Sequence, residues 1–150
     1  MAQPDILLIG YGNPLRADDG IGWALIEYLG GRLAHDVRCE TMVQLTPEVA
    51  EDLSEVSHAV FLDATVEGEP GHLTVKTLSA KNEASGALNH HCSPEALLSN
   101  AAMLFGHSPQ AKLVTICGED FGYREQLSPR LQESLPRYGE AILQLLSECR

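Results

Sequence analysis

Residues Ile9-Gly10-Tyr11-Gly12-Asn13-Pro14-Leu15-Arg16-Ala17-Asp18-Asp19-Gly20-Ile21-Gly22 leave a short apolar run through a turn-rich stretch and end in two adjacent carboxylates at the start of a helix. Gly10, Gly12 and Asn13 tolerate positive φ and close backbone approach, which a chain leaving a buried strand requires. Either Asp18 or Asp19 suits a cap for the helix beginning near Gly20, leaving the other to point into the cleft that the loop borders. A further acid, Asp63, follows Val60-Phe61-Leu62, where a carboxylate is costly to bury without a partner. His90 and His91 stand just before a Ser93-Pro94-Glu95 helix start. Two carboxylates and an imidazole make a donor set for a divalent transition ion with open positions, nickel and zinc included.

Each of these residues also has a plain structural reading. An Asp before a helix serves as its cap, Asp63 can accept a loop amide, and adjacent histidines in a loop can be ordinary surface residues. Asn13 either makes a turn or, through its amide, orients Asp19 or a peptide. The other four histidines, His35, His58, His72 and His107, show no useful spacing.

The elements that must position these groups alternate between strand and helix. Asp5 to Tyr11 carries Ile6-Leu7-Leu8-Ile9, a continuous apolar run expected of a central strand covered on both faces. A helix over 22–33 follows, its stripe of Trp23, Ile26, Leu29 and Leu33 read as core, then an alternating strand over 36–42. Thr46-Pro47-Glu48 predicts a short helix over 47–55 with Thr46 as cap. Ala59 to Asp63 reads as a buried strand ending in an acid. Pro70-Gly71 turns the chain into a half-exposed strand over 72–78, and this short connection predicts an antiparallel edge. Ser93-Pro94 starts a helix to about Phe105, a strand covers 112–117, and a last helix runs from Ser128 to about Cys149. The expected fold is therefore α/β: a single doubly wound three-layer domain over 1–150, with a mostly parallel sheet of about five strands, one antiparallel edge strand and helices on both faces.

In an open parallel sheet, ligands gather outside the carboxyl ends of strands, where connections diverge to opposite faces. With strand order 2-1-3, Asp19 beyond the first strand and Asp63 at the end of the third reach one crevice, and His90 or His91 completes the set.

Composition narrows the partners. At 150 residues and 44% hydrophobic the chain buries a sizeable core. The formal net charge of −11 argues against nucleic acid or an anionic membrane, because phosphate binding requires clustered Lys and Arg. No apolar run approaches the ~18 residues that span a bilayer, and the N-terminus lacks an export-signal pattern, so a cytoplasmic location is expected. Cys39, Cys92, Cys117 and Cys149 are scattered without a CxxC pair and read as reduced thiols. The glycines have the first two positions of GxGxxG but Leu15 where the third belongs. Pro14 removes an amide and two carboxylates follow where a pyrophosphate would lie. No GxSxG nucleophile elbow occurs, and Cys92 beside His91 reads equally as an ordinary thiol.

The segment from Gly10 to Gly22, then Leu62-Asp63-Ala64-Thr65 with Pro70-Gly71, then His91 before a helix and the late Leu127-Ser128-Pro129 helix start, resemble the hydrogenase maturation endopeptidases in order over nearly the whole chain. The resemblance implies an aspartic-type peptidase that trims the C-terminal extension from the large-subunit precursor of a nickel-iron hydrogenase after nickel insertion. The metal-contacting positions of that family fall here on Asp19, Asp63 and His91. His91 is preferred over His90 because Pro94 and the apolar residues after it then keep the expected spacing. Many members carry a Gly-rich loop after the second strand. Here Gln44-Leu45-Thr46-Pro47 replaces it, a departure that bears on partner choice.

Amide hydrolysis needs an activated water, stabilisation of the oxyanion and a proton for the leaving nitrogen. A divalent ion acidifies bound water and polarises the carbonyl, and ionised Asp19 and Asp63 with neutral His91 can donate lone pairs to it. The ion expected is the nickel carried by the precursor, with no tightly bound cofactor of the chain's own and the chain acting as a monomer. A non-catalytic nickel-binding or hydrogenase-docking chaperone would use the same ligands, and a nucleotide-binding α/β domain is the weaker third reading.

Overall fold

Ile6, Leu7, Leu8 and Ile9 are fully buried, as a strand covered on both faces must be. They form most of β1, Ile6–Tyr11, in a computed structural model that describes residues 5–80 and 92–150. A 3₁₀ turn, Ala17–Gly20, leads into α1, Ile21–Leu29. There follow β2, Val37–Met42, α2, Val49–Leu53, β3, His58–Thr65, and β4, Leu73–Leu78. The described chain ends with α3, Pro94–Phe105, β5, Gln110–Cys117, and α4, Pro129–Ser147.

The five strands form one sheet in the order β2-β1-β3-β5-β4. β1 pairs in parallel with β2 and β3, β3 in parallel with β5, and β4 runs antiparallel on the edge of β5, as the short Pro70-Gly71 connection predicts. Alternate residues divide between two cores. Ile6, Leu8, Val60, Leu62, Val114 and Ile116 pack under α1 and α4. Leu7, Ile9, Ala59, Phe61 and Ala111 pack under α2 and α3. Connections from β1 and β2 thus go to opposite faces, which opens a crevice at the carboxyl ends of β1 and its neighbours.

α1 approaches the sheet so closely that two glycines must face each other. A Cβ on Gly22 would lie 2.9 Å from Gly10 Cα and 3.0 Å from the Leu62 carbonyl oxygen, closer than packed atoms tolerate.

Helix starts show where local signals hold and where they do not. Ser93 Oγ accepts the Ala96 amide at 3.1 Å, and Ser128 Oγ accepts the Leu131 amide at 3.4 Å, each with Pro in the first turn. The Thr46-Pro47-Glu48 signal begins α2 two residues later than expected. The Val49 and Ala50 amides bond Thr46 and Pro47 carbonyls as turn bonds, and the α2 cap position, Glu48, makes no side-chain cap. Thr46 instead bonds the Glu48 carboxylate.

Between β2 and α2 one guanidinium, Arg38, faces Asp52 at 3.3 Å, Glu40 at 3.6 Å and Glu55 at 3.9 Å. Burial raises the Glu40 pKa, and so do its hydrogen bond and like-charge contact with Asp52, against the opposing pull of Arg38. All four cysteines are free, and among the described residues no helix is long and apolar enough to cross a membrane.

Candidate active site

The loop after β1 is held by its own backbone. Gly12 takes φ 142°, and a Cβ there would fall 2.1 Å from the Asp19 carbonyl oxygen, so only glycine lets the loop fold back on Asp19. The Gly12 amide donates to the Met42 carbonyl at 3.1 Å. Asn13 makes the turn, its side-chain oxygen accepting the Leu15 amide at 2.9 Å, whereas the bond to Asp19 Oδ2 at 2.7 Å comes from its backbone N–H and not from the side-chain amide. Trp23 is not part of either buried core, contrary to the helical-stripe reading. Its indole N–H donates to the Gly12 carbonyl at 2.9 Å and to the Met42 carbonyl at 3.2 Å, tying the ends of β1 and β2 together.

Asp63 lies inside β3 rather than at its end. Asp63-Ala64-Thr65 remain paired with Thr115-Ile116-Cys117 of β5, which extends the strand two residues past the acid. Asp63 Oδ1 accepts the Ala64 amide at 2.8 Å. Burial pushes the Asp63 carboxyl above the usual carboxylate range. The Tyr11 hydroxyl and the Ala64 amide pull it back, and the like charge of Asp19 pushes it up again. Asp19 and Asp63 line one cleft of about 250 Å³, together with Tyr11, Gly12, Val43, Gln44, Leu45 and Cys92. The strand order therefore places the two carboxylates as expected, and the Gln44-Leu45 segment forms a wall of the same cleft.

Asp18 is elsewhere. It is 0% exposed and accepts the Glu119 amide at 2.7 Å and the Asp120 amide at 3.0 Å on Oδ2, and the Ser128 amide at 2.7 Å on Oδ1. It does not cap α1, whose cap position, Gly20, receives no side-chain bond. The loop before it lies along residues 118–128: the Ala17 amide donates to the Arg124 carbonyl at 2.8 Å, and the Arg16 guanidinium reaches the Phe121 carbonyl at 3.0 Å. Nothing local in the sequence signals this, since the partners lie more than a hundred residues away.

His90 and His91 lie outside the described residues. Among the described residues no group of three or more His, Cys, Asp and Glu side chains is placed to hold a metal ion. The carboxylates of the described cleft that could serve a cation are Asp19 and Asp63. The Cys92 thiol in the cleft is pushed up by burial and by Glu48. Tyr11 is the cleft residue the sequence reading passed over. The β1–β3 register, Gly10 against Leu62, puts it beside Asp63.

The architecture aligns with solved structures over nearly the whole chain. The hydrogenase maturating endopeptidase HybD from E. coli matches at a TM-score of 0.77 and 25% identity, covering 96% of this chain and 93% of that one. The chain has the fold of the hydrogenase maturation endopeptidases. A [NiFe] hydrogenase maturation protease, HycI from Thermococcus kodakarensis, matches at 0.74 and 21% identity, covering 97% of this chain and 94% of that one. A hydrogenase 2 maturation peptidase from a Thaumarchaeota archaeon matches at 0.69 and 23%, covering 95% and 97%. No family model and no curated protein matches the chain. The maturation-endopeptidase fold supports reading this chain as a peptidase, and the resemblance carried by the Gly10–Gly22 segment extends to the whole architecture.

Proposed function

We propose that the chain is an endopeptidase that removes the C-terminal extension of a nickel-iron hydrogenase large-subunit precursor after nickel insertion, using the precursor's nickel as its recognition element. The observation that carries this reading is the convergence of Asp19 and Asp63 on one cleft of the maturation-endopeptidase fold.

Asp19 and Asp63 offer carboxylate oxygens to the nickel seated in the precursor, and His91 supplies the third donor. Only a loaded precursor then docks with its scissile bond in register. The precursor's nickel held by these donors would polarise the carbonyl and acidify a water, and the proton that water gives up would pass to the leaving nitrogen. The chain brings no tightly bound cofactor, and metal serves as a specificity device. The open cleft beside Gln44 and Leu45 receives the peptide.

The test incubates the purified protein with nickel-loaded and nickel-free precursor and follows the precursor by intact mass spectrometry. Loss of a C-terminal peptide from the loaded form alone is the expected result. Binding without a mass change replaces this reading with that of a non-catalytic docking chaperone.

A further inference from the structure

Asp63 faces another carboxylate across the cleft, and like charges in a partly buried site repel. A side chain free to rotate would turn away from Asp19. Two protein groups oppose that rotation. The Ala64 amide holds Oδ1 at 2.8 Å from within β3, and the Tyr11 hydroxyl approaches the carboxylate from the end of β1.

Tyr11 is itself fixed. Its ring meets Phe61 edge-on, with centroids 6.5 Å apart and planes at 85°, and it packs on the core beneath α2 and α3. Phe61 and Asp63 lie on the same face of β3, two residues apart, so the ring that rests on one carries its hydroxyl to the other.

We propose that Tyr11 is the positioning residue for Asp63: Phe61 sets the ring, the ring sets the hydroxyl, and the hydroxyl with the Ala64 amide sets which face of the carboxylate the cleft receives. This rests on the proposed peptidase reading for its kinetic consequence, but the geometric claim stands apart from it. Tyr11 contributes orientation, and Asp63 makes the contact with substrate.

Tyr11→Phe isolates the hydroxyl because the ring and its Phe61 contact remain. The variant is expected to melt within ~2 °C of the wild type. Its kcat for shortening nickel-loaded precursor falls roughly 10- to 100-fold, the worth of a hydrogen bond to a charged group. KM rises as well, because Asp63 also meets the nickel by which the precursor docks. The Ala64 amide resonance, read by ¹H–¹⁵N NMR of the protein alone, moves as Asp63 relaxes. An unchanged kcat/KM or an unmoved Ala64 resonance each overturns the assignment. If the wild type itself fails to shorten the precursor, the peptidase reading falls, and the Ala64 resonance alone then decides the role of Tyr11.

Discussion

Asp18 Oδ1 accepts the Ser128 amide at 2.7 Å, so the loop that leaves the first strand holds the cap residue of the last helix. Its neighbour Asp19 instead turns to the cleft, where its described partner is the Asn13 amide. Adjacent and chemically identical, the two acids part company: one is taken up by backbone amides, the other faces the cleft.

Asp18→Ala therefore strands the buried amide of Ser128 and the part-buried amides of Glu119 and Asp120, and lowers the unfolding free energy by about 3 kcal/mol. Asp19→Ala, which frees one half-buried amide, costs less than about 1 kcal/mol. Urea denaturation of the two variants measures the difference, and equal losses would contradict the division.

Activity responds the other way. Asp19→Ala and Asp63→Ala each reduce precursor cleavage by on the order of 10²–10³-fold or more while the circular dichroism spectrum is retained. His91→Ala abolishes cleavage and His90→Ala leaves it intact. The opposite pattern for the histidines assigns the third donor to His90.

Gly12→Ala places a methyl group where the Asp19 carbonyl already stands, at a φ that L residues rarely adopt. A loss of roughly 1–3 kcal/mol in stability is expected. Displacement of Asp19 should also cut cleavage more than Gly31→Ala, where an added Cβ meets nothing within 4 Å. Thermal melts and cleavage rates of the two variants check this.

The Arg38 cluster gives stability a pH dependence of known sign. Glu40 titrates higher in the folded chain than in the unfolded one, because burial and Asp52 disfavour its charge. Between those two pKa values the folded state holds more protons, so its contribution to stability is full below the unfolded value and is lost as pH rises through the folded one. Relative to Glu40→Gln, the wild type should lose stability as pH rises from the ordinary carboxylate range toward neutrality. Melting curves of both proteins across that interval show it, and parallel curves would refute it.

Much of this was legible in the residues. The apolar run Ile6–Ile9, the Ser-Pro helix starts and the Pro70-Gly71 turn are local signals, and they fixed a parallel sheet with one antiparallel edge. Strand order 2-1-3, expected from the alternation of elements, brought Asp19 and Asp63 to one crevice. What escaped depends on long-range pairing. The partners of Asp18 lie beyond a hundred residues, the extension of β3 past Asp63 is set by β5, and the place of Tyr11 beside Asp63 requires the β1–β3 register. Trp23 misled because its helical spacing matches the core stripe, whereas its indole N–H finds two loop carbonyls.

That indole has a practical consequence. The chain has one tryptophan, and it is bonded to the carbonyls that end β1 and frame β2 at the rim of the cleft. Its fluorescence is a built-in optical gauge of the cleft mouth: a shift of either loop alters the indole's polar contacts and hence its emission. Docking of a precursor can thus be timed in a stopped-flow instrument on unlabelled protein, separately from the appearance of the shortened product.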